Sequence, residues 1–135
     1  MEVGPLNSQK PMVSIGIPTY NRAKFLGRAI GSAVSQTYGN IEIIISNNAS
    51  TDETVALLEK YKDVKSVKII TQKENIGMAA NWNECLFNAS GRFFLLLSDD
   101  DFLEPDAIEN LIAGFGDDPE GIAMVYGMTT IHHSD

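Results

Sequence analysis

The residues best able to do chemistry are three consecutive aspartates, Asp99, Asp100 and Asp101, directly after the apolar run FFLLLS. At about 4 Å, two unit charges interact by about 4 kcal/mol at an effective dielectric near 20. Three carboxylates exceed what the start of a helix needs for its dipole. A divalent cation would remove the repulsion and offer a hard centre to phosphate oxygens. Mg²⁺ or Mn²⁺ suits a few carboxylates, waters and a diphosphate, and zinc does not, because no Cys or His lies near this turn. If the turn is extended, Asp99 and Asp101 face one way and Asp100 the other.

Three other polar turns accompany it. PTYNR carries Pro18, Thr19, Tyr20 and Asn21; Asn21 could cap a helix, and Tyr20 could line or stack on a base. SNNASTD carries Asn47 and Asn48, whose amides can both donate and accept towards a heterocycle. KENIG carries Asn75 and Gly77, where a glycine before a helix allows close approach of a phosphate to backbone amides, and Asn81 lies one helical turn on.

Elements must bring these turns together. Met12–Ile17, Ile41–Ser46, Val67–Gln72, Arg92–Ser98 and Ile122–Gly127 read as strands. The run Phe93–Leu97 reads as a central strand buried on both faces. Helices are expected over Ala23–Gln36, over Thr51–Tyr61 behind a Ser50/Glu53 capping box, after Gly77 with Met78, Trp82, Cys85, Leu86 and Ala89 on its apolar face, and from Pro105 onward. The alternation predicts a three-layer α/β/α fold with a mostly parallel sheet. Ligands then bind beyond the carboxyl ends of the strands, where all four polar turns fall.

The 135 residues, 44% of them hydrophobic, suffice for one domain over 12–135 behind a loose segment 1–11. The net charge of −8 argues against nucleic acid as a partner. No apolar run spans a bilayer, no signal peptide is evident, and the single cysteine, Cys85, suits a reducing compartment. A cytoplasmic location follows, or one peripheral to the cytoplasmic membrane face in a longer protein. The sequons at Asn48 and Asn88 are then coincidental, and His132 and His133 read as tail residues.

VSIGIPTYNR, IEIIISNNASTDET and ENIGMAANWNECLFNASGRFFLLLSDDD, in that order, resemble the nucleotide-sugar-binding half of family 2 glycosyltransferases, the GT-A fold, over roughly Met12 to Tyr126. The resemblance implies transfer of a sugar from a nucleoside diphosphate to an acceptor hydroxyl of a glycan or lipid-linked acceptor, usually with inversion. It implies Mn²⁺ or Mg²⁺ at Asp100, with Asp99 near the ribose alongside Ser98 and Asp101 as a helper. It places Pro18 and Tyr20 at the nucleobase, and gives Asn47 a position commonly held by a base-reading aspartate. An amide also donates, so a UDP-sugar comes first while thymidine, cytidine and guanosine donors stay open. Family members continue into an acceptor-binding half with a catalytic Asp or Glu. Nothing here maps to that residue, so the catalytic base is expected beyond Asp135 and the chain reads as a fragment. Rival readings are a non-catalytic binding module of the same fold and a nucleotidyltransferase, for which PTYNRAK is a poor first loop. A dinucleotide oxidoreductase would need G-x-G-x-x-G in that loop, and a receiver domain would need acids after the first strand.

Overall fold

The computed structural model describes residues 10–117 and 121–131. Four parallel strands, β1 (Val13–Thr19), β2 (Ile41–Asn47), β3 (Val67–Thr71) and β4 (Phe93–Leu96), lie in the order β3-β2-β1-β4. Helices α1 (Ala23–Val34), α2 (Thr54–Glu59), α3 (Met78–Phe87) and α4 (Ala107–Ala113) alternate with them. The predicted fold class and the first four strands are therefore observed.

The two faces of the sheet differ in chemistry. Val13, Ile15, Ile17, Ile43 and Ile45 point to one side and form the main core with Leu26, Ala29, Ile30, Ala33, Leu58 and Ile108 from α1, α2 and α4. The other side presents Ser14, Gly16, Ile44 and Ser46, and α3 packs there. A Cβ on Gly16 would stand 2.7 Å from Cys85 Cβ and 2.7 Å from Phe94 Cζ, so the glycine sets how closely α3 approaches. Polar pairs complete that contact: Ser46 Oγ donates to Asn81 Oδ1 at 2.7 Å, and Asn81 Nδ2 donates to the Ser46 carbonyl at 3.0 Å.

This arrangement corrects the predicted face of α3. The buried residues are Asn81 and Cys85, whereas Met78, Trp82 and Leu86 are 70%, 44% and 49% exposed. Periodicity followed hydrophobicity, but the sheet face that α3 meets places Ser46 and Gly16 beside Ile44, and Ser46 selects an asparagine. Burial pushes the Cys85 thiol up to about 11, which leaves it unreactive.

Three further expectations change. Phe93–Leu96 is an edge strand of the described sheet, partly rather than fully buried, and the central strands are β1 and β2. Ile122–Gly127 forms no strand; Ile122 to Val125 instead lie across a cavity from β4. Pro105 precedes the first turn of α4, which begins at Ala107. The loose segment expected over residues 1–11 falls almost wholly outside the described residues. His132, His133 and Asp135 lie outside them as well, and so does the catalytic base expected beyond Asp135.

At the end of the sheet opposite the polar turns, Glu42 stitches β2 to the turn before β4. Burial pushes its carboxyl up, but hydrogen bonds from Ser14 Oγ, Ser90 Oγ and the Ser90 and Gly91 amides outweigh that and hold it below the usual range. A Cβ on Gly91 would meet Ser14 N at 2.7 Å, so the turn needs glycine to come this close.

Candidate functional site

The carboxyl ends of the strands open into one cleft of about 650 Å³. It is lined by Pro18, Thr19, Tyr20 and Arg22 after β1, Asn48 after β2, Asn75 and Gly77 before α3, and Ser98 to Asp101 after β4. Met78, Asn81, Trp82 and Leu96 complete the wall. Of the predicted binding and metal residues, only Asn21 and Asn47 do not line it.

Those two residues shape the rim from behind. Asn21 adopts a left-handed backbone (φ 51), which asparagine tolerates better than most residues. Its Oδ1 accepts the Thr51 and Asp52 amides at 2.7 and 3.3 Å, and its own N–H donates to Ser50 Oγ at 3.0 Å. In return Asp52 Oδ2 accepts the first amide of α1, from Ala23, at 3.2 Å, and Asp52 Oδ1 accepts from Thr54 N at 2.9 Å. The turns after β1 and β2 therefore clasp each other. The Ser50/Glu53 capping box is not formed, because Ser50 Oγ takes the Asn21 amide and Asp52 serves α2 instead. Asn21 likewise does not cap α1, whose cap position is Arg22.

Asn47 is buried. Its Oδ1 accepts the Ser50 amide at 3.1 Å, while Nδ2 has no hydrogen-bond partner. Asn48 ties the β2 turn to the next one: Nδ2 donates to Asn75 Oδ1 at 2.9 Å and Oδ1 accepts the Ile76 amide at 2.9 Å. Asn75 Oδ1 also accepts the Gly77 amide at 2.9 Å, and Gly77 takes φ +86 immediately ahead of α3.

The acidic segment is a turn and not an extended strand, closed by the Asp101 amide donating to the Ser98 carbonyl at 3.1 Å. Its three carboxylates consequently have three environments. Asp99 is partly buried, and loss of hydration raises its carboxyl above the ordinary value. The Thr19 hydroxyl, the Arg22 charge and the Tyr20 amide oppose that shift, and the Asp100 charge adds to it. Thr19 Oγ1 comes near but completes no hydrogen bond and is itself buried without a partner. Asp100 is exposed: Oδ1 accepts from Ser98 Oγ at 2.7 Å, and Oδ2 stands 3.6 Å from Arg22 Nη1. Asp101 is exposed. Behind the turn, the Arg28 guanidinium lies 3.5 Å from the centroid of the Phe102 ring.

The raised Asp99 has a consequence for stability. The folded chain holds this proton more tightly than the unfolded chain, so ionised Asp99 costs stability above the folded value and none below the unfolded one. Asp99→Asn is expected to raise the melting temperature at pH 7. The gain should vanish as the pH falls below the ordinary carboxylate range near 4. An equal gain at pH 3 and pH 7 would exclude ionisation as its source.

Comparison with known proteins then decides the family. The model of glycosyl transferase family 2 matches residues 14–131. The chain belongs to glycosyl transferase family 2. It is 39% identical over 117 residues to the chondroitin synthase of Pasteurella multocida, covering 86% of this chain and 12% of that protein. It is 44% identical over 107 residues to an uncharacterized glycosyltransferase of Rickettsia prowazekii, covering 78% of this chain and 32% of that one. The family 2 chain thus spans a third or less of the length of these relatives. The crystal structure of S. aureus TarS 1-349 in complex with UDP-GlcNAc superposes with a TM-score of 0.72 at 26% identity, over 77% of this chain and 31% of that one. The mannosyltransferase PcManGT from Pyrobaculum calidifontis, in complex with GDP-Man and Mn²⁺, shares the fold with a TM-score of 0.74 at 22% identity, over 82% and 34%.

Of the residues lining the cleft, Arg22, Met78, Trp82 and Leu96 were not predicted. Arg22 sits inside PTYNR and was legible as a rim residue. The other three read as ordinary core or helix-face positions, and only the rotation of α3 and the edge position of β4 expose them. Among the described residues no helix is long and apolar enough to cross a membrane.

Proposed function

We propose that this chain binds the nucleoside-diphosphate sugar used in glycosyl transfer. The observation that carries the reading is convergence: four turns far apart in a family 2 sequence meet at one cleft beside the acidic turn. Pro18, Thr19 and Tyr20, with Asn47 behind them, form the end for the nucleobase. Asp99 and Ser98 lie towards the ribose, and Asn75, Gly77 and the start of α3 face the diphosphate. The TarS complex with UDP-GlcNAc supports trying uridine donors first.

Among the described residues no three acidic, His or Cys side chains are gathered into a metal cage. Exposed Asp100 beside Asp99 and Asp101 nevertheless fits Mg²⁺ or Mn²⁺ shared with diphosphate oxygens and water, which is how Mg²⁺ in particular is commonly held. A bound cation would neutralise charge on the leaving diphosphate. In the reaction, an acceptor hydroxyl oxygen forms a bond to the anomeric carbon as the bond to the diphosphate oxygen breaks, with inversion. A base, expected beyond Asp135, takes the hydroxyl proton, and the diphosphate departs with the electron pair. This chain's part is to hold the diphosphate and orient it; the Ile76 and Gly77 amides are taken by Asn48 and Asn75, so the first-turn amides of α3 would be the ones to meet the growing negative charge.

The test is thermal stability with a panel of nucleoside diphosphates, each with and without Mn²⁺. A ligand at 100 times its dissociation constant adds about 2.7 kcal/mol. The absence of any shift with every nucleotide, in both conditions, would refute donor binding.

A further inference from the structure

Arg22 has no role in the reading above, yet it is the sole cationic side chain among the residues lining the cleft. An anionic ligand entering beside Asp99, Asp100 and Asp101 meets net negative charge, and Arg22 is the chain's own means of reducing it. We propose that Arg22 is an exchangeable counter-ion, paired with Asp100 and handed to the ligand's diphosphate when a divalent cation takes the Asp100 carboxylate. The inference rests on the donor-binding reading and adds a residue and an order of events to it.

The geometry supports exchange over a permanent bridge. The two oxygens of Asp100 are divided: Oδ1 accepts from Ser98 Oγ at 2.7 Å, and Oδ2 faces Arg22 Nη1 at 3.6 Å. The second contact is longer than a hydrogen bond, and the two side chains are 48% and 44% exposed. Pairs this open and loose are readily traded. A cation arriving at Oδ2 competes with Arg22 for the same atom.

The backbone of Arg22, in contrast, is fixed. Its carbonyl accepts the Phe25 and Leu26 amides at 3.0 Å each, at the cap of α1. The preceding residue is locked into the clasp with the β2 turn. A long side chain on a pinned backbone can swing between two neighbours without moving the rim. Its planar, multi-donor head suits phosphate oxygens at least as well as a single carboxylate oxygen. Lysine keeps the charge but loses the fork.

Binding of Mn²⁺ alone, of UDP and GDP with Mn²⁺, and of uridine and guanosine should be compared in the unmodified chain, Arg22→Gln and Arg22→Lys. Arg22→Gln is expected to bind the diphosphates about tenfold more weakly, matching loss of a hydrogen bond to a charged group, with nucleoside affinity unchanged. The same variant is expected to bind Mn²⁺ alone more tightly, by up to about fivefold, because a competitor for Asp100 is gone. Arg22→Lys should fall between the two. Opposite movement of metal and diphosphate is something a merely structural role would not produce. Equal losses for nucleoside and diphosphate, or no change for either diphosphate or Mn²⁺, would overturn the exchange. If the unmodified chain bound neither nucleotides nor nucleosides, the donor-binding reading would fail instead.

Discussion

Asp100→Asn is expected to abolish the effect of Mn²⁺ on nucleotide binding while leaving the melting temperature of the chain alone nearly unchanged. Asp100 is exposed, and its contacts are one serine hydroxyl and a loose arginine pair. Such surface interactions contribute about 0–1 kcal/mol to folding. If Asp100 ligates the ion as proposed, its loss should cost at least the roughly 10–100-fold typical of changes to groups that merely support ligands. Asparagine keeps the shape and one oxygen but carries no charge, so the comparison isolates the carboxylate. Calorimetric titration of UDP with and without Mn²⁺ reads the difference. Metal dependence that survives Asp100→Asn but disappears in Asp101→Asn would move the ion along the turn.

Gly16→Val is expected to cause the largest loss of stability of any single change discussed. The β1 strand is central, its other neighbours on this face are Ser14 and Pro18, and α3 rests directly on it. The first added carbon would already sit 2.7 Å from Cys85 Cβ and from the Phe94 ring. The Phe94 ring tip could swing aside, but Cys85 Cβ is fixed to the helix backbone and cannot yield by rotation. Overpacking commonly costs about 1–3 kcal/mol, and a branched side chain against backbone-level contacts belongs at or above the upper end. Gly31→Ala provides the control: no atom lies within 4 Å of its added Cβ, so it should stabilise α1 by about 0.5–1 kcal/mol. Urea unfolding of both variants checks the pair. A tolerated Gly16→Val would mean that α3 can lift off the sheet.

These outcomes bear on what the sequence made legible. The four parallel strands and the four turns at their ends were readable because β-branched runs and turn residues are local signals. The convergence of those turns followed from the topology rule for parallel sheets. What could not be read was decided by partners distant in sequence. Trp82 and Met78 carry an apolar pattern, but the sheet face under α3 offers Ser46 and Gly16 beside Ile44, and the hydrogen bonds of Ser46 bury Asn81 in their place. Phe93–Leu97 is apolar enough for a central strand, yet its place is set by pairing with β1 alone. Ser50 and Glu53 match a capping pattern, but Asn21, some thirty residues away, claims Ser50 Oγ for its own amide. Asn47 and Asn48 are neighbours of the same type and both are buried, yet only Asn48 lines the cleft, because its side chain reaches across to Asn75 and Ile76 of the next turn while that of Asn47 folds back on Ser50.

The reciprocal bonding of Asn21 and Asp52 also bears on how the rim can be re-engineered. Each residue completes the other's turn: Asn21 satisfies amides after β2, and Asp52 satisfies the first amide of α1. Neither segment is a module. A first turn transplanted alone from a relative with a different second turn would arrive with its carbonyl or carboxylate partner missing, and the losses from the two halves would not add. Chimaeras that exchange both turns together should keep the recipient's stability and carry the donor's rim shape with them.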